Sequence, residues 1–310
     1  MKYYIGIDIG GTKMATLIAD EHFNIKSKIR FETSETVTPE KTIIKFITDI
    51  RKQLLELNLD ITEISGIGIS CGGPLNSKQG VILSPPNLPG WDNVEIVNKL
   101  RKVFNVPVYL QNDANACALA EWKLGAGKGS ENMIFLTFGT GMGAGLILNG
   151  RLYTGKQDMA GEVGHIRLAK NGPIGYNKNG SFEGFCSGGG IAQLAEKCIP
   201  PWEQRFFGEF TAKNVFEQAK FDNLRCAQII GKSAEKLGQG LSILIDILNP
   251  EVIVIGSIFA RQEKWFKDTM NNVLKNEALE ISYENCKIVP AILGDEIGDF
   301  ASLIVATGDY

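Results

Sequence analysis

Histidine is scarce in this sequence, with two among 310 residues, and no cysteines stand in metal-type or disulfide-type spacing. The six cysteines (Cys71, Cys117, Cys186, Cys198, Cys226 and Cys286) are scattered and form no C-x-x-C pair, so neither a disulfide framework nor a zinc ribbon is suggested. An excess of one charge is missing too. The 32 Lys+Arg and 35 Asp+Glu leave a net charge of −3, which makes no electrostatic case for nucleic acid or an anionic membrane as partner. Long apolar runs are absent as well: residues 241–260, the most apolar stretch, are broken by Asp246, Asn249, Pro250 and Glu251, which argues against a transmembrane helix. The N-terminus lacks a basic patch followed by an apolar segment and enters a strand-like Tyr3-Tyr4-Ile5-Gly6-Ile7 at once. These absences favour a reducing, cytoplasmic setting. With 44% hydrophobic and 22% charged residues, the composition is that of an ordinary globular protein, and the length suits two domains better than one.

What the sequence does have is glycine, 35 residues clustered in a few turns. A self-comparison shows why. Residues 4–18 lie without gaps on residues 133–147, each copy being an apolar strand, a turn of small residues and an apolar return strand. Such runs predict β-hairpins, and two copies suggest two domains built on one plan. Between them, Ile43, Ile47, Ile50, Leu54 and Leu57 are spaced 4-3-4-3, the stripe of an amphipathic helix. Ile230, Ala234, Leu237, Leu241, Leu244 and Leu248 repeat the pattern before Asn249-Pro250 stops it. Residues 252–255 and 64–69, the latter with interleaved glycines, read as buried strands. Strands alternate with helices along most of the chain, so the predicted class is α/β.

Several motifs carry chemistry. In Asp8-Ile9-Gly10-Gly11-Thr12-Lys13 a carboxylate ends a strand and glycines open the backbone of a turn, so that N–H groups can approach a phosphate while Thr12 and Lys13 add donors. The carboxylate would be repelled by phosphate and suits a hydrated Mg²⁺ instead. A plain glycine turn explains the same residues about as well when they are taken alone. Thr137 and Gly139-Thr140-Gly141 in the second copy are placed to clamp the other side of a phosphate chain. Asn112-Asp113 joins a strand-like run to a helix-like one. Asp113 there reads either as a helix N-cap or as a general base that takes a proton from a sugar hydroxyl, with Asn112 binding a hydroxyl beside it. Glu162-x-x-His165 pairs a carboxylate with one of the two histidines, a combination suited to polyols, although a lone histidine in an apolar stretch is more often structural.

At these residues the chain resembles the ROK family of bacterial sugar kinases and repressors, within the hexokinase/actin-like ATPase superfamily. The resemblance runs through residues 6–13, Pro86-Asn87-Leu88-Pro89-Gly90-Trp91, Asn112-Asp113-Ala114-Asn115, Gly139-Thr140-Gly141-Met142-Gly143, Gly161-Glu162-Val163-Gly164-His165 and Val254-Ile255-Gly256. It implies a two-lobed RNase H-like fold with an interdomain cleft. The expected first lobe is residues 1–115 with 292–310, and the second is 116–291. It further implies ATP-dependent phosphorylation of a hexose-type sugar at the 6-hydroxyl, with Asp113 as catalytic base. Gly72, Asn87, Asn112, Glu162, His165 and Glu183 would bind the sugar. Asp8, Gly10, Gly11, Thr12, Lys13, Thr137, Gly139, Thr140, Gly141, Gly256 and Ser257 would bind ATP, with Asp8 holding Mg²⁺ through water. Ser257 stands where the family usually has a second glycine.

The larger departure is a missing C-x-C-G-x-x-G-C-x-E segment, whose cysteines bind a structural zinc with the histidine in most of the family. Residues 172–183 contain no cysteine, and Cys186 with His165 falls short of four ligands. The expectation is therefore no zinc, with this loop held by hydrogen bonds and packing. Glu183 still lines up with the glutamate that closes the family segment. A homodimer is expected from the resemblance alone. Glucose, N-acetylmannosamine, fructose and glucosides all remain open as substrate. The rival class is a sugar-responsive transcriptional regulator, which would need a helix-turn-helix segment for which no room is expected ahead of Tyr3. A third is a sugar-binding or actin-like module without transfer activity.

Overall fold

The computed structural model describes residues 2–310, the side chain of Phe206 excepted, so Met1 of the expected first lobe lies outside the described residues. Two five-stranded sheets share one plan. In the first, the spatial order is 25–32, 13–20, 3–9, 64–71 and 108–112, and in the second it is 151–152, 144–148, 133–136, 252–255 and 287–290. In both, the first three strands in space are antiparallel and the last two join in parallel. Each sheet therefore places the strand of a glycine hairpin, Tyr3–Ile9 or Met133–Leu136, at its centre.

The internal repeat is real, with one refinement. Gly10 N donates to Lys13 O at 3.1 Å, whereas Gly139 N donates to Gly141 O at 3.1 Å. With Gly10 matched to Gly139, the second turn closes one residue earlier. A gapless match of the two sequences therefore fits the outgoing strands but slips by one on the return strands. Glycines at 139, 141 and 143 leave the turn free to close in either register.

The predicted helix over 43–57 runs from Pro39 to Glu56. Thr38 caps it by accepting from Lys41 N, and the buried stripe includes Ile43, Phe46, Ile50 and Leu54. The second predicted helix spans Leu224–Leu248 and ends where Asn249 turns left-handed at φ 43°. With 96–104, the first covers the outer face of the first sheet, and with 188–198, 212–220 and 257–277 the second builds the core beyond the other sheet.

Between the sheets lie two helices, Asp113–Leu124 and Ile297–Val305, which pack against each other through Ala116, Leu119 and Ala120 on one and Ala301, Ile304 and Val305 on the other. Small residues set this middle layer. A Cβ on Gly145 would sit 2.4 Å from Ala118 Cβ, and one on Gly68 would sit 2.1 Å from Ser302 O. The helices thus lie almost on the sheet backbones. The chain passes from one sheet to the other twice, through Asp113–Leu124 and through residues 291–296. Glu121, fully buried on the first crossing, accepts from Ile292 N at 3.0 Å and Leu293 N at 2.9 Å on the second, and also from Ala126 N at 2.8 Å.

Among the described residues, no helix is long and apolar enough to cross a membrane.

Candidate active site

Parallel strands deliver the candidate residues to one place. Asp8 pairs with Ser70, Ile9 with Cys71, and Cys71 with Asn112, so Asp8, Gly72 and Asp113 all leave the first sheet at the carboxyl ends of neighbouring strands. In the second sheet, Leu136 and Ile255 pair, and Thr137 and Gly256 leave together in the same way. Ligands in open α/β sheets bind at this end of the strands.

The Asn112-Asp113 junction resolves the first ambiguity of the sequence. Asn112 is the N-cap, its Oδ1 accepting from Ala114 N at 3.0 Å and Asn115 N at 3.4 Å. Asp113 is the first helical residue. Its Oδ1 also accepts from Ala114 N, at 2.8 Å, and its side chain is open to solvent. Capping is thus done by the neighbour. Protein packed around Asp113 raises its carboxyl above the usual range, against the lowering effect of the Ala114 N–H and its own. An aspartate that accepts protons more readily than usual is what general-base work needs.

Around it stand several of the predicted partners. A Cβ on Gly72 would lie 3.6 Å from both amide atoms of Asn87 and 3.8 Å from Asp113 Oδ2, so these three residues share one wall. Gly11 lies under Asn87, a Cβ there falling 2.8 Å from Asn87 O. From the second sheet's side come Glu162 and Glu183. Desolvation raises the Glu162 carboxyl, the nearby His165 opposes this, and Asp113 and Glu183 add to it, which places all four within one electrostatic neighbourhood. Glu183 Oε2 accepts from Met142 N at 3.0 Å, and a Cβ on Gly141 would lie 2.8 Å from the same oxygen. The second glycine turn therefore touches the Glu183 carboxylate.

Residues 172–183 are held as a small hairpin, Ile174–Gly175 with Lys178–Asn179, whose turn residues Tyr176 and Asn177 both adopt positive φ. Gln193 clasps its base, accepting from Ile174 N and donating to Ile174 O, both at 2.8 Å. Arg167 donates to Asn179 O and Lys178 donates to His165 O, each at 2.6 Å. The imidazole of His165 meets the ring of Tyr176 edge-on, with centroids 4.9 Å apart. Hydrogen bonds and packing do hold this loop, as expected. His165 is turned to Tyr176, while Glu183 takes its hydrogen bond from Met142.

Asp8 is raised to about 6, by burial first and then by Asp299 and Asp113, with Arg30 and Lys28 opposing. Gly298 lies against it, a Cβ there falling 3.1 Å from Asp8 Oδ2, and Asp299 is ion-paired with Lys28. No local pattern points to Gly298 and Asp299, because some 290 residues separate them from Asp8 and only the return of the final helix joins them. The rise in Asp8 sets a pH dependence. Its acid is stronger in the unfolded chain, near 3.8, than in the folded one, so stability is lost as pH rises from about 4 to about 6. In buffer free of divalent cations, Asp8→Asn is expected to be more stable than the parent at pH 7–8, by up to roughly 3 kcal/mol. The gap should vanish below pH 4, which urea denaturation across that range would measure.

Ser257 occupies a backbone position suited to glycine. It holds φ 55°, the left-handed conformation that glycine adopts freely, and a Cβ on Gly139 would lie 3.5 Å from its Oγ. Ser257→Gly is expected to stabilise the protein by roughly 1 kcal/mol, read as a raised midpoint in thermal denaturation. Gly256 N donates to Leu136 O and Ile258 N to Phe138 O, both at 2.9 Å, which ties this turn to the second glycine hairpin.

Among the described residues, no set of three or more His, Cys, Asp or Glu side chains is arranged to hold a metal ion directly.

Comparison with known proteins bears on the family and the fold. A glucokinase of Halalkalibacterium halodurans is 29% identical over 306 residues, covering 96% of this chain and 92% of its own. A xylose repressor of Caldicellulosiruptor bescii is also 29% identical, covering 94% of this chain and 74% of its own. The crystal structure of a ROK family glucokinase from Streptomyces griseus, in complex with glucose and AMPPNP, superposes with a TM-score of 0.75 at 25% identity, covering 99% of each chain. The fold is thus the two-lobed one of the actin-like ATPases, and since the ROK family profile matches residues 4–307, the chain belongs to the ROK family.

Proposed function

We propose that this protein is an ATP-dependent kinase of a hexose-type sugar, with the 6-hydroxyl as acceptor and Asp113 as base. The observation that carries the reading is the division of labour at the junction. Asn112 caps the helix, which leaves the Asp113 carboxylate exposed to the space at the carboxyl ends of the strands, with a raised proton affinity. Gly72, Asn87, the Asn112 amide, Glu162, His165 and Glu183 surround that space as hydroxyl partners. Glucose is the first candidate, because the glucokinases above are relatives over nearly the whole chain. N-acetylmannosamine, fructose and glucosides are the alternatives.

In this reading residues 1–115 with 292–310 form one lobe and 116–291 the other. Gly10, Gly11, Thr12 and Lys13 face Thr137, Gly139, Thr140 and Gly141 across the phosphates of ATP, with Gly256 and Ser257 nearer the adenosine. The Asp8 site fits Mg²⁺ through water, because Asp8, Asp113 and Asp299 crowd three acids together with too little positive charge to balance them. A bound Mg²⁺ would supply charge neutralisation of the phosphates. The chain's own work is to orient the hydroxyl, exclude water as the lobes close, and take up its proton at Asp113 Oδ2. Family resemblance extends the reading to a cytoplasmic homodimer.

The xylose repressor at the same identity supports a second reading, a sugar sensor without transfer activity. A coupled assay of ADP release across a panel of hexoses separates the two. Sugar-dependent release supports the kinase. Sugar binding with no release on any member would sink it.

A further inference from the structure

His165 is held by one short hairpin, and the tip of that hairpin is an unusual place for its residue. Tyr176 carries φ 44°, a region that bulky side chains seldom adopt, and the residue is 61% exposed. An exposed ring held in a strained backbone calls for an explanation, because Asn or Gly would close the same two-residue turn at lower cost. Three sets of contacts tie the hairpin to its surroundings. Gln193 clasps Ile174 at both its N–H and its carbonyl, Arg167 binds Asn179 O, and Lys178 reaches back to His165 O. Beyond the hairpin the chain enters Glu183 within four residues, with Ser181 accepting from Gly184 N. The ring contact at the tip is the edge-on meeting with His165, at 4.9 Å and 71°.

We propose that Tyr176 is a positioning residue, whose ring fixes the imidazole of His165 beside Glu162 and Glu183 so that it meets a sugar hydroxyl in one orientation. The inference rests on the sugar-kinase reading for its kinetic consequence, and on geometry alone for the ring contact. Without the aromatic edge, the imidazole is free to rotate about its χ2 bond, which is a broad two-fold torsion. The sugar then has to order it on binding, and that cost falls on affinity rather than on the transfer step.

The test uses Tyr176→Asn, which tolerates the positive φ and keeps the turn, alongside Tyr176→Phe, which keeps the ring. With only two histidines in the chain, the imidazole resonances are simple to follow by NMR in histidine-labelled protein, and a His22→Gln background assigns His165. In free protein, Y176N is expected to shift the His165 ring resonances and Y176F to leave them close to the parent's. On the sugar identified by the panel, Y176N should raise KM about tenfold, with kcat changed by less than about threefold, and Y176F should restore the parent's KM. Unmoved His165 resonances in Y176N would overturn the proposal, and so would an unchanged KM or an equal loss in Y176F. If no sugar supports ADP release in the parent, the kinase reading fails while the resonances still decide the ring contact.

Discussion

Asp113→Ala is expected to lower turnover about a hundredfold to ten-thousandfold, the range in which a positioned general base contributes, with sugar affinity held within a few-fold. The reasoning starts from the cap. If Asp113 were the residue that ends the helix, its loss would cost about 1 kcal/mol of stability and any kinetic effect would be confounded with unfolding. Asn112 does that work, through two backbone N–H groups, so the Asp113 carboxylate can be removed with the helix start intact. Thermal denaturation of the variant should stay near the parent. Isothermal titration with the sugar should still show binding, while the ADP assay shows a collapse in kcat. Asp113→Asn is the closer test, since it keeps the shape and an acceptor oxygen but cannot take the proton. Either variant turning over at the parent's rate would remove Asp113 from the chemistry. The pH profile adds a sign: because the Asp113 carboxyl is raised, activity should fall toward acid earlier than for an ordinary aspartate.

Gly68→Ala is expected to destabilise the fold by about 3 kcal/mol or more, the upper range of core overpacking. The added methyl would meet backbone on two sides, Ser302 O at 2.1 Å and Ala306 N at 2.2 Å, with no flexible side chain to yield. A Cβ on Gly66 would meet the C-cap of the same helix, 2.3 Å from Ala306 O. The helix Ile297–Val305 would have to move off the sheet, and Gly298 and Asp299 would move with it, away from Asp8. Urea denaturation should therefore show a lower midpoint. Gly231→Ala is the control, since nothing lies within 4 Å of a Cβ there, inside the helix Leu224–Leu248. It is expected to stabilise by up to about 1 kcal/mol through helix propensity. The two substitutions add the same methyl and should differ in sign. A Gly68→Ala protein as stable as its parent would show that the middle layer is looser than its geometry implies.

How much of this was legible in the residues themselves depended on what kind of contact was involved. Periodic burial was legible: the stripe from Ile43 to Leu54 and that from Ile230 to Leu248 lie on helices, and Val252–Ile255 is a buried strand, because burial repeats with the local geometry. The repeated hairpin was legible as two similar runs, and the paired sheet topology follows from it. The one-residue difference between the turns was not, because glycine and alanine at 143–145 satisfy either register. The roles of Asn112 and Asp113 were left undivided in the sequence, since both residue types cap helices well and only the strand end at Asn112 decides between them. Gly298 and Asp299 escaped notice because their partner Asp8 is at the other end of the chain, and no local pattern encodes such a contact. Tyr176 escaped for the opposite reason: its significance lies in its own backbone angle, and a tyrosine in a loop carries no mark of it.

Glu121 has a mechanical consequence. Among the described residues two threads link the two sheets, and this one carboxylate, rooted in the first thread, grips the second at Ile292 and Leu293. Any swing of one half on the other that keeps those bonds must turn about a fulcrum near this point. The reach from fulcrum to Asp113 is short, because both residues belong to one helix and lie eight positions apart, about 12 Å along its axis. A small rotation there would move Asp113 little and groups farther from Glu121 a great deal, so in the proposed reading Asp113 would stay at station while more distant walls travel to it.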